Sequence, residues 1–181
     1  MARNVEVTSR SASRRKFLLA GGASAAAATL PPAVSAGVVK WAGDVAILNV
    51  ALGLEHQAIA AYNAGAASKL LSEAHMKIAV SFLNDHKRHR DALAQFIRRF
   101  GGTPVEPQKS YDFGKIGSAE DILKLAQKLE EGAEIAYLTN AGNLKNKELL
   151  NAAVPILEDE VRHNIVFRQA LKMDVVTRLK Y

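Results

Sequence analysis

The chain has 181 residues, enough for one domain, and 49% of them are apolar, so a hydrophobic core is within reach. Cysteine is absent, which excludes disulfides, thiolate ligands, iron–sulfur clusters and a lipidated N-terminal cysteine and leaves His and carboxylate as the strong metal ligands. The net charge of +6 is uneven: residues 1–36 carry +4 of it, from Arg3, Arg10, Arg14, Arg15 and Lys16 against Glu6, leaving about +2 for the rest. No lysine-rich tract or nucleic-acid motif occurs in that remainder, so the basicity does not point to a nucleic-acid partner.

The first segment reads as an address. Ser13-Arg14-Arg15-Lys16-Phe17-Leu18 resembles the twin-arginine export signal, with Leu19 where that pattern often has Lys. An Ala- and Gly-rich apolar stretch follows from Phe17 to Leu30, shorter than the ~18–20 residues that span a membrane. Pro31-Pro32 breaks it, and Val34-Ser35-Ala36 offers small residues to a peptidase. The alternative is a disordered tail that happens to hold two arginines. The export reading makes residues 1–36 a signal peptide and residues 37–181 the mature domain. It places the protein in a bacterial periplasm or outside the cell. It makes the twin-arginine export machinery a partner and expects no stable membrane span in the mature form. That route carries folded proteins, so a metal could be loaded before export.

The mature region predicts four helices and no strands. Helix 1 starts at Trp41 or Asp44, with Asp44 as a candidate N-cap, and runs to Ala67. Helix 2 opens at Ser72 and stops at Gly101-Gly102. Gly101, Gly102, Pro104, Pro107 and Gly114 mark residues 101–117 as a long connection. Helix 3 follows Ser118 and ends near Gly142. Helix 4 covers Lys147 to Met173, with a kink or interrupted first turn expected at Pro155.

Each helix has an apolar seam in steps of three and four, which keeps its residues on one face. The seams are Leu48-Ala51-Glu55-Ala58-Tyr62, Ala79-Phe82-His86-His89-Leu93, Leu123-Ala126-Glu130-Ala133-Tyr137 and Ala153-Ile156-Glu160-His163-Phe167. The first and third match in all five residue types. Glu55 and Glu130 are 75 positions apart, while His86 and Glu160, and His89 and His163, are 74 apart. Asp85 and Asp159 match in the same register, as do Arg88 and Arg162. This is a duplicated helical hairpin. Two hairpins joined by a long crossover predict an all-α antiparallel four-helix bundle. Every seam has a carboxylate or imidazole at its middle. Buried charge is costly unless paired, hydrogen-bonded or metal-bound, so the pattern suggests a polar layer that holds metal.

With Glu160-x-x-His163 and its counterpart His86-x-x-His89, the chain resembles the ferritin-like superfamily. It is similar above all to the exported ferritin-like domain family related to desiccation-related proteins, over about residues 41–173. The resemblance implies a site for two metals. In it Glu55 and Glu130 are terminal ligands, Glu160 bridges, and His89 and His163 each bind one metal. His86 stands where the second bridging glutamate belongs. An imidazole cannot bridge metals about 3.5–4 Å apart, because its nitrogens point away from each other. The expectation is that Glu55, His86 and His89 crowd one position, Glu130 and His163 serve the other, and Glu160 is shared. Fewer than two tightly held ions, or two of unequal affinity, should result. His86 either binds metal or hydrogen-bonds to Glu55 or Glu160. Glu134, one turn beyond Glu130, competes with it as the helix 3 ligand. Tyr62 and Tyr137 read as core residues whose hydroxyls bond to the polar layer, His56 as a flank residue, and Arg88 and Arg162 as lying outside the seam, on solvated or interface faces.

Three functions fit. The first is an exported bundle that binds iron or manganese, with zinc as another candidate metal, and handles oxygen or peroxide. Its enzymatic version is a ferroxidase, peroxidase or catalase-like oxidoreductase, with no catalytic residue assigned. The second is a non-catalytic stress-related or structural protein with a degraded or single-metal site. The third is a cell-envelope binding module whose polar layer is closed by hydrogen bonds. Homo-oligomers are compatible with the sequence, but nothing in it shows a storage cage.

Overall fold

A computed structural model of the chain describes residues 41–175. The expected export segment, the boundary at residues 36 and 37, and residues 176–181 lie outside the described residues. Four helices are present, α1 (Ala42–Ala67), α2 (Glu73–Arg99), α3 (Ala119–Ala141) and α4 (Lys147–Ala170), with no strand among the described residues. The chain is all-α, as the periodicity predicts.

Three helices start where a short polar side chain can cap them. Ser72 Oγ accepts from His75 N at 3.2 Å, Ser118 Oγ from Asp121 N at 3.2 Å, and Asn146 Oδ1 from Glu148 N at 2.9 Å. α1 departs from expectation. Its N-cap position is Trp41, without a side-chain cap, and Asp44 lies buried in the first turn. The Asp44 carboxylate accepts instead from Lys145 N and Asn146 N, the latter at 2.8 Å. Those amides precede α4 and have no helical acceptor, so a buried carboxylate and unpaired donors satisfy each other across the bundle. α4 runs unbroken through Pro155, without the expected interruption, and ends at Ala170 rather than Met173.

Two apolar clusters show how the helices run. One joins the start of α1 (Leu48, Leu52) to the end of α2 (Leu93, Ile97), the end of α3 (Tyr137) and the start of α4 (Leu149, Ala153). The other joins Ala58 and Tyr62 of α1, Ala79 and Leu83 of α2, Leu123 and Ala126 of α3, and Phe167 of α4. Hence α1 is antiparallel to α3, and α2 to α4. All seam residues are buried except Phe82, which is half-buried beside buried Leu83. The central charged residue of each seam falls between the clusters.

The antiparallel order forces residues 101–117 to travel from one end of the bundle to the other. Gly101 turns the chain out of α2 at a φ of 80°, a conformation that favours glycine. At Gly102 a Cβ would lie 2.4 Å from Val45 Cγ1, so only glycine lets the chain pass this close to α1. Asn49 Nδ2 then donates to Thr103 O at 3.0 Å, Val105 N donates to Asn49 Oδ1 at 2.8 Å, and His56 Nε2 donates to Val105 O at 3.1 Å. His56 therefore ties down the crossover.

α1 is apolar enough over 18 residues, at mean hydropathy 1.2, to cross a membrane by length and composition. In this fold it is a core helix with buried Glu55 facing inward.

Ile97 is fully buried in the first cluster. Ile97→Ala should lower unfolding free energy by about 2–5 kcal/mol. Urea unfolding of the two proteins measures this, and a negligible loss would contradict the packing described.

Candidate metal centre

The middle of the bundle gathers Glu55 (α1), His86 and His89 (α2), Glu130 (α3), and Glu160 and His163 (α4), all buried. They form two overlapping groups. Glu55, His86, His89 and Glu160 each offer one ligand atom within 4.8 Å of the others, and so do His86, Glu130, Glu160 and His163. That spread is about twice a metal–ligand bond of ~2.0–2.2 Å. Glu160 belongs to both groups, as expected. His86 also belongs to both, which differs from its expected confinement to one. Its Nδ1 lies 2.8 Å from Glu55 Oε2 and its Nε2 lies 3.2 Å from Glu130 Oε1. The opposed nitrogens that prevent an imidazole from bridging a close metal pair here span the two terminal glutamates.

His89 and His163 are held alike. His89 Nε2 donates to Asp159 Oδ2 at 3.0 Å, and His163 Nε2 to Asp85 Oδ2 at 3.3 Å. Both bonds cross between hairpins. They direct each Nδ1 inward, with His89 Nδ1 3.2 Å from Glu160 Oε1 and His163 Nδ1 3.3 Å from Glu130 Oε2. Carboxylates that fix imidazole orientation in this way support metal ligands. Arg88 pairs with Asp85, and Arg162 Nη1 lies 2.8 Å from Asp159 Oδ1. The exposed arginines thus end two matched Arg–Asp–His chains. The sequence signal for the aspartates was their duplicated place four residues before each histidine.

The tyrosines also cross between hairpins. Tyr62 OH donates to Glu130 Oε1, and Tyr137 OH to Glu55 Oε1 at 2.9 Å. Glu130, rather than Glu134, enters the cluster. Glu134 turns to the α3–α4 contact, where Asn164 Nδ2 donates to its Oε2 at 2.7 Å and Gln127 Nε2 donates to Asn164 Oδ1 at 3.1 Å.

Within the layer the histidines and carboxylates shift one another's protonation. Burial pulls His86 down, but its bonds to Glu130 and Glu55 outweigh this and hold it well above the usual imidazole range. His89 is likewise opposed by burial, yet the adjacent carboxylates of Glu160, Glu55 and Asp159 push it up to about 10. Burial would raise Glu55 and Glu130, but the neighbouring histidines hold both below the usual carboxylate range. Burial and the charges of Glu130 and Glu55 keep Glu160 well above that range. The charged forms of His86 and His89 and of Glu55 and Glu130 thus support one another, while burial disfavours the charged form of Glu160.

The donor set fits a metal. His89 Nδ1 and both oxygens of Glu160 are buried at the junction of the two groups and make no well-aligned hydrogen bond, although His89 Nδ1 lies 3.2 Å from Glu160 Oε1. Such atoms are expensive to bury unless something coordinates them. Imidazole nitrogen with carboxylate oxygen suits iron, manganese or zinc.

A family model described as a ferritin-like domain matches residues 43–173. Among solved structures, the chain is similar to a conserved hypothetical protein from Mycobacterium tuberculosis. The TM-score is 0.66 at 21% identity, covering 75% of this chain and 99% of that one. It is also similar to ferritin-like, diiron-carboxylate proteins from Bacillus anthracis str. Ames. There the TM-score is 0.63 at 24% identity, covering 70% of this chain and 94% of that one. At these identities both show a shared fold. No curated protein matches the chain. The matched model spans all four helices and the buried Glu and His groups, and the chain belongs to the ferritin-like domain family.

Proposed function

We propose that this is an exported metal-binding ferritin-like protein that handles iron or manganese and reacts with oxygen or peroxide. The observation that carries the reading is the pair of overlapping buried Glu/His groups, at whose junction His89 Nδ1 and both Glu160 oxygens lack a well-aligned hydrogen bond. Glu55, His89 and Glu160 would hold one ion and Glu130, His163 and Glu160 a second, with His86 within reach of either. Bound iron or manganese would supply the one-electron redox capacity that these side chains lack. The solved Bacillus anthracis relatives are described as diiron-carboxylate proteins, which supports iron. The chain's own part is to orient His89 and His163 through Asp159 and Asp85, and Glu55 and Glu130 through the tyrosines. The likeness to desiccation-related proteins and the Arg14-Arg15 motif favour a stress role outside the cytoplasm. A second reading, a non-catalytic protein with one metal or none, is favoured by His86, which replaces a carboxylate and already bonds to Glu55 and Glu130.

Metal stoichiometry tests the asymmetry at His86, and metal-dependent consumption of oxygen or peroxide separates the two readings. Titrated with Fe(II) and Mn(II), the wild type should bind fewer than two tight ions, or two of unequal affinity, and His86→Glu should raise occupancy. Two equal tight sites in the wild type would remove the asymmetry, and no binding in either protein would favour the non-catalytic reading.

The histidine shifts give a pH signature. With His89 raised to about 10 from an ordinary 6.5, the folded metal-free protein keeps a proton that the unfolded chain loses. Its stabilisation is full below pH 6.5, declines as pH rises toward 10 and is absent above. His89→Gln should flatten that decline by up to about 1.4 kcal/mol per pH unit. Urea unfolding across this range measures it. Metal competes for the same Nδ1, so affinity should rise with pH over the same interval.

Export has its own test. Replacing Arg14 and Arg15 by Lys should retain the precursor in the cytoplasm. Normal export of that variant, followed by fractionation and immunoblotting, would exclude a twin-arginine signal.

A further inference from the structure

The outer face of the first hairpin holds a cavity that the metal centre does not use. It lies between α1, α2 and the start of the crossover, and its volume is about 280 Å³, close to the lower end of small-molecule sites at ~300 Å³. Leu52, Ala94, Pro104 and Val105 give it apolar walls. Neither Glu55 nor His89 lines it, although the residues that follow them, His56 and Arg90, both do. Its two ends carry unlike charge. Asn49 holds Thr103 O and Val105 N, and His56, about two turns further along α1, holds Val105 O. The crossover thus runs alongside α1 and antiparallel to α2, from the level of Arg98 toward that of Arg90. Those arginines are about 12 Å apart along α2. Arg90 is engaged by Asp91, whose Oδ1 accepts from its Nε at 2.9 Å and lies 2.8 Å from its Nη2. Arg98, at the other end, makes no side-chain hydrogen bond or ion pair among the described residues, and neither does Glu106, which follows Val105. One end presents an open guanidinium and the other an open carboxylate, with apolar walls between them.

In the second hairpin the same place is filled. By the offsets of 75 and 74, Leu52, His56, Arg90 and Ala94 correspond to Gln127, Glu131, Asn164 and Arg168. Gln127 Nε2 donates to Asn164 Oδ1 at 3.1 Å and to Glu131 Oε2 at 3.3 Å. Arg168 Nη1 lies 3.5 Å from Glu131 Oε1, and its Nε donates to Asp174 O at 2.6 Å. These polar groups satisfy one another, and a long arginine stands where Ala94 has only a methyl group. The first hairpin keeps the space and leaves its end charges open.

We propose that this cavity binds a small zwitterion, with a carboxylate at Arg98, an ammonium group at Glu106 and a short apolar chain along Leu52 and Ala94. A molecule with only a negative charge would gain Arg98 and face the acidic excess of Asp91 and Glu106 over Arg90. A molecule with only a positive charge would gain Glu106 and face Arg98. A molecule carrying both charges, suitably spaced, matches both ends. The site is separate from the metal centre, and its occupancy does not depend on metal.

The test titrates the full chain with 6-aminohexanoate, which carries a carboxylate and an ammonium group at opposite ends of a methylene chain, and follows the amide signals by NMR. Hexanoate and hexylamine are the controls with one charge each. The zwitterion should move the signals of Ala94 and Val105 and bind about threefold or more tighter than either control. Arg98→Gln and Glu106→Gln, both at exposed positions, should each weaken it about three- to tenfold. Arg98→Gln should not weaken hexylamine, and Glu106→Gln should not weaken hexanoate. Ala94→Arg, which copies Arg168, should fill the cavity and remove binding, and the two exposed substitutions keep the test open if that variant does not fold. Hexanoate binding as tightly as the zwitterion would overturn the proposal in favour of a plain anion site, and hexylamine doing so in favour of a cation site. Zwitterion binding that survives both exposed substitutions would place the ligand elsewhere and overturn the assignment. Absence of any shift at Ala94 and Val105 would overturn the site altogether.

Discussion

Three glutamates and three histidines lie together at the middle of a bundle whose two ends are apolar. Unpaired, each charge would cost several kcal/mol to bury. The fold meets that constraint mainly with bonds that cross from one hairpin to the other. Tyr62 reaches Glu130, Tyr137 reaches Glu55, His89 reaches Asp159 and His163 reaches Asp85. A hydrophobic seam tolerates sliding or rotation better than a hydrogen bond does. The polar layer therefore sets the register between hairpins, while the apolar clusters supply most of the driving force for packing.

His86 changes the balance within that layer. A glutamate in its place would add a fourth negative charge with only His89 and His163 nearby to offset it. The imidazolium lies between Glu55 and Glu130 instead and joins the two hairpins through one ring. His86 thereby offsets carboxylate charge within the layer through its own hydrogen bonds. A metal ion that entered would displace protons from these ligands.

Periodicity and duplication carried much of the architecture into the sequence. The 3-4 spacing marked the buried faces, Ser72 and Ser118 marked two helix starts, and the offsets of 74 and 75 aligned the hairpins. What stayed illegible depended on partners far along the chain. Asp44 reads locally as a cap for α1, yet its acceptors serve amides about a hundred residues away that become neighbours only in the bundle. Asp85 and Asp159 are partly exposed and outside the seams, so hydrophobic patterning gave them no role. The choice between Glu130 and Glu134 turned on a few tens of degrees of helix rotation, finer than residue spacing resolves. The double reach of His86 likewise depends on where its ring sits between α1 and α3.

The same duplication explains why the layer has two unlike sides. α1 and α3 each give one glutamate, followed one turn later by an alanine, so their polar groups are sparse and their line of contact is small and apolar. α2 and α4 each give two central residues plus an aspartate and an arginine in the same short stretch. Polar density is therefore weighted toward α2 and α4, where water and ions can be accommodated by charge. Alanine at positions 58 and 133 leaves a gap on the opposite side that larger residues would fill. Because both alanines occur in equivalent places, the gap is centred on the layer and touches Glu55 and Glu130 together. One repeated hairpin sequence thus builds a charged centre with a polar margin on one side and an apolar opening on the other.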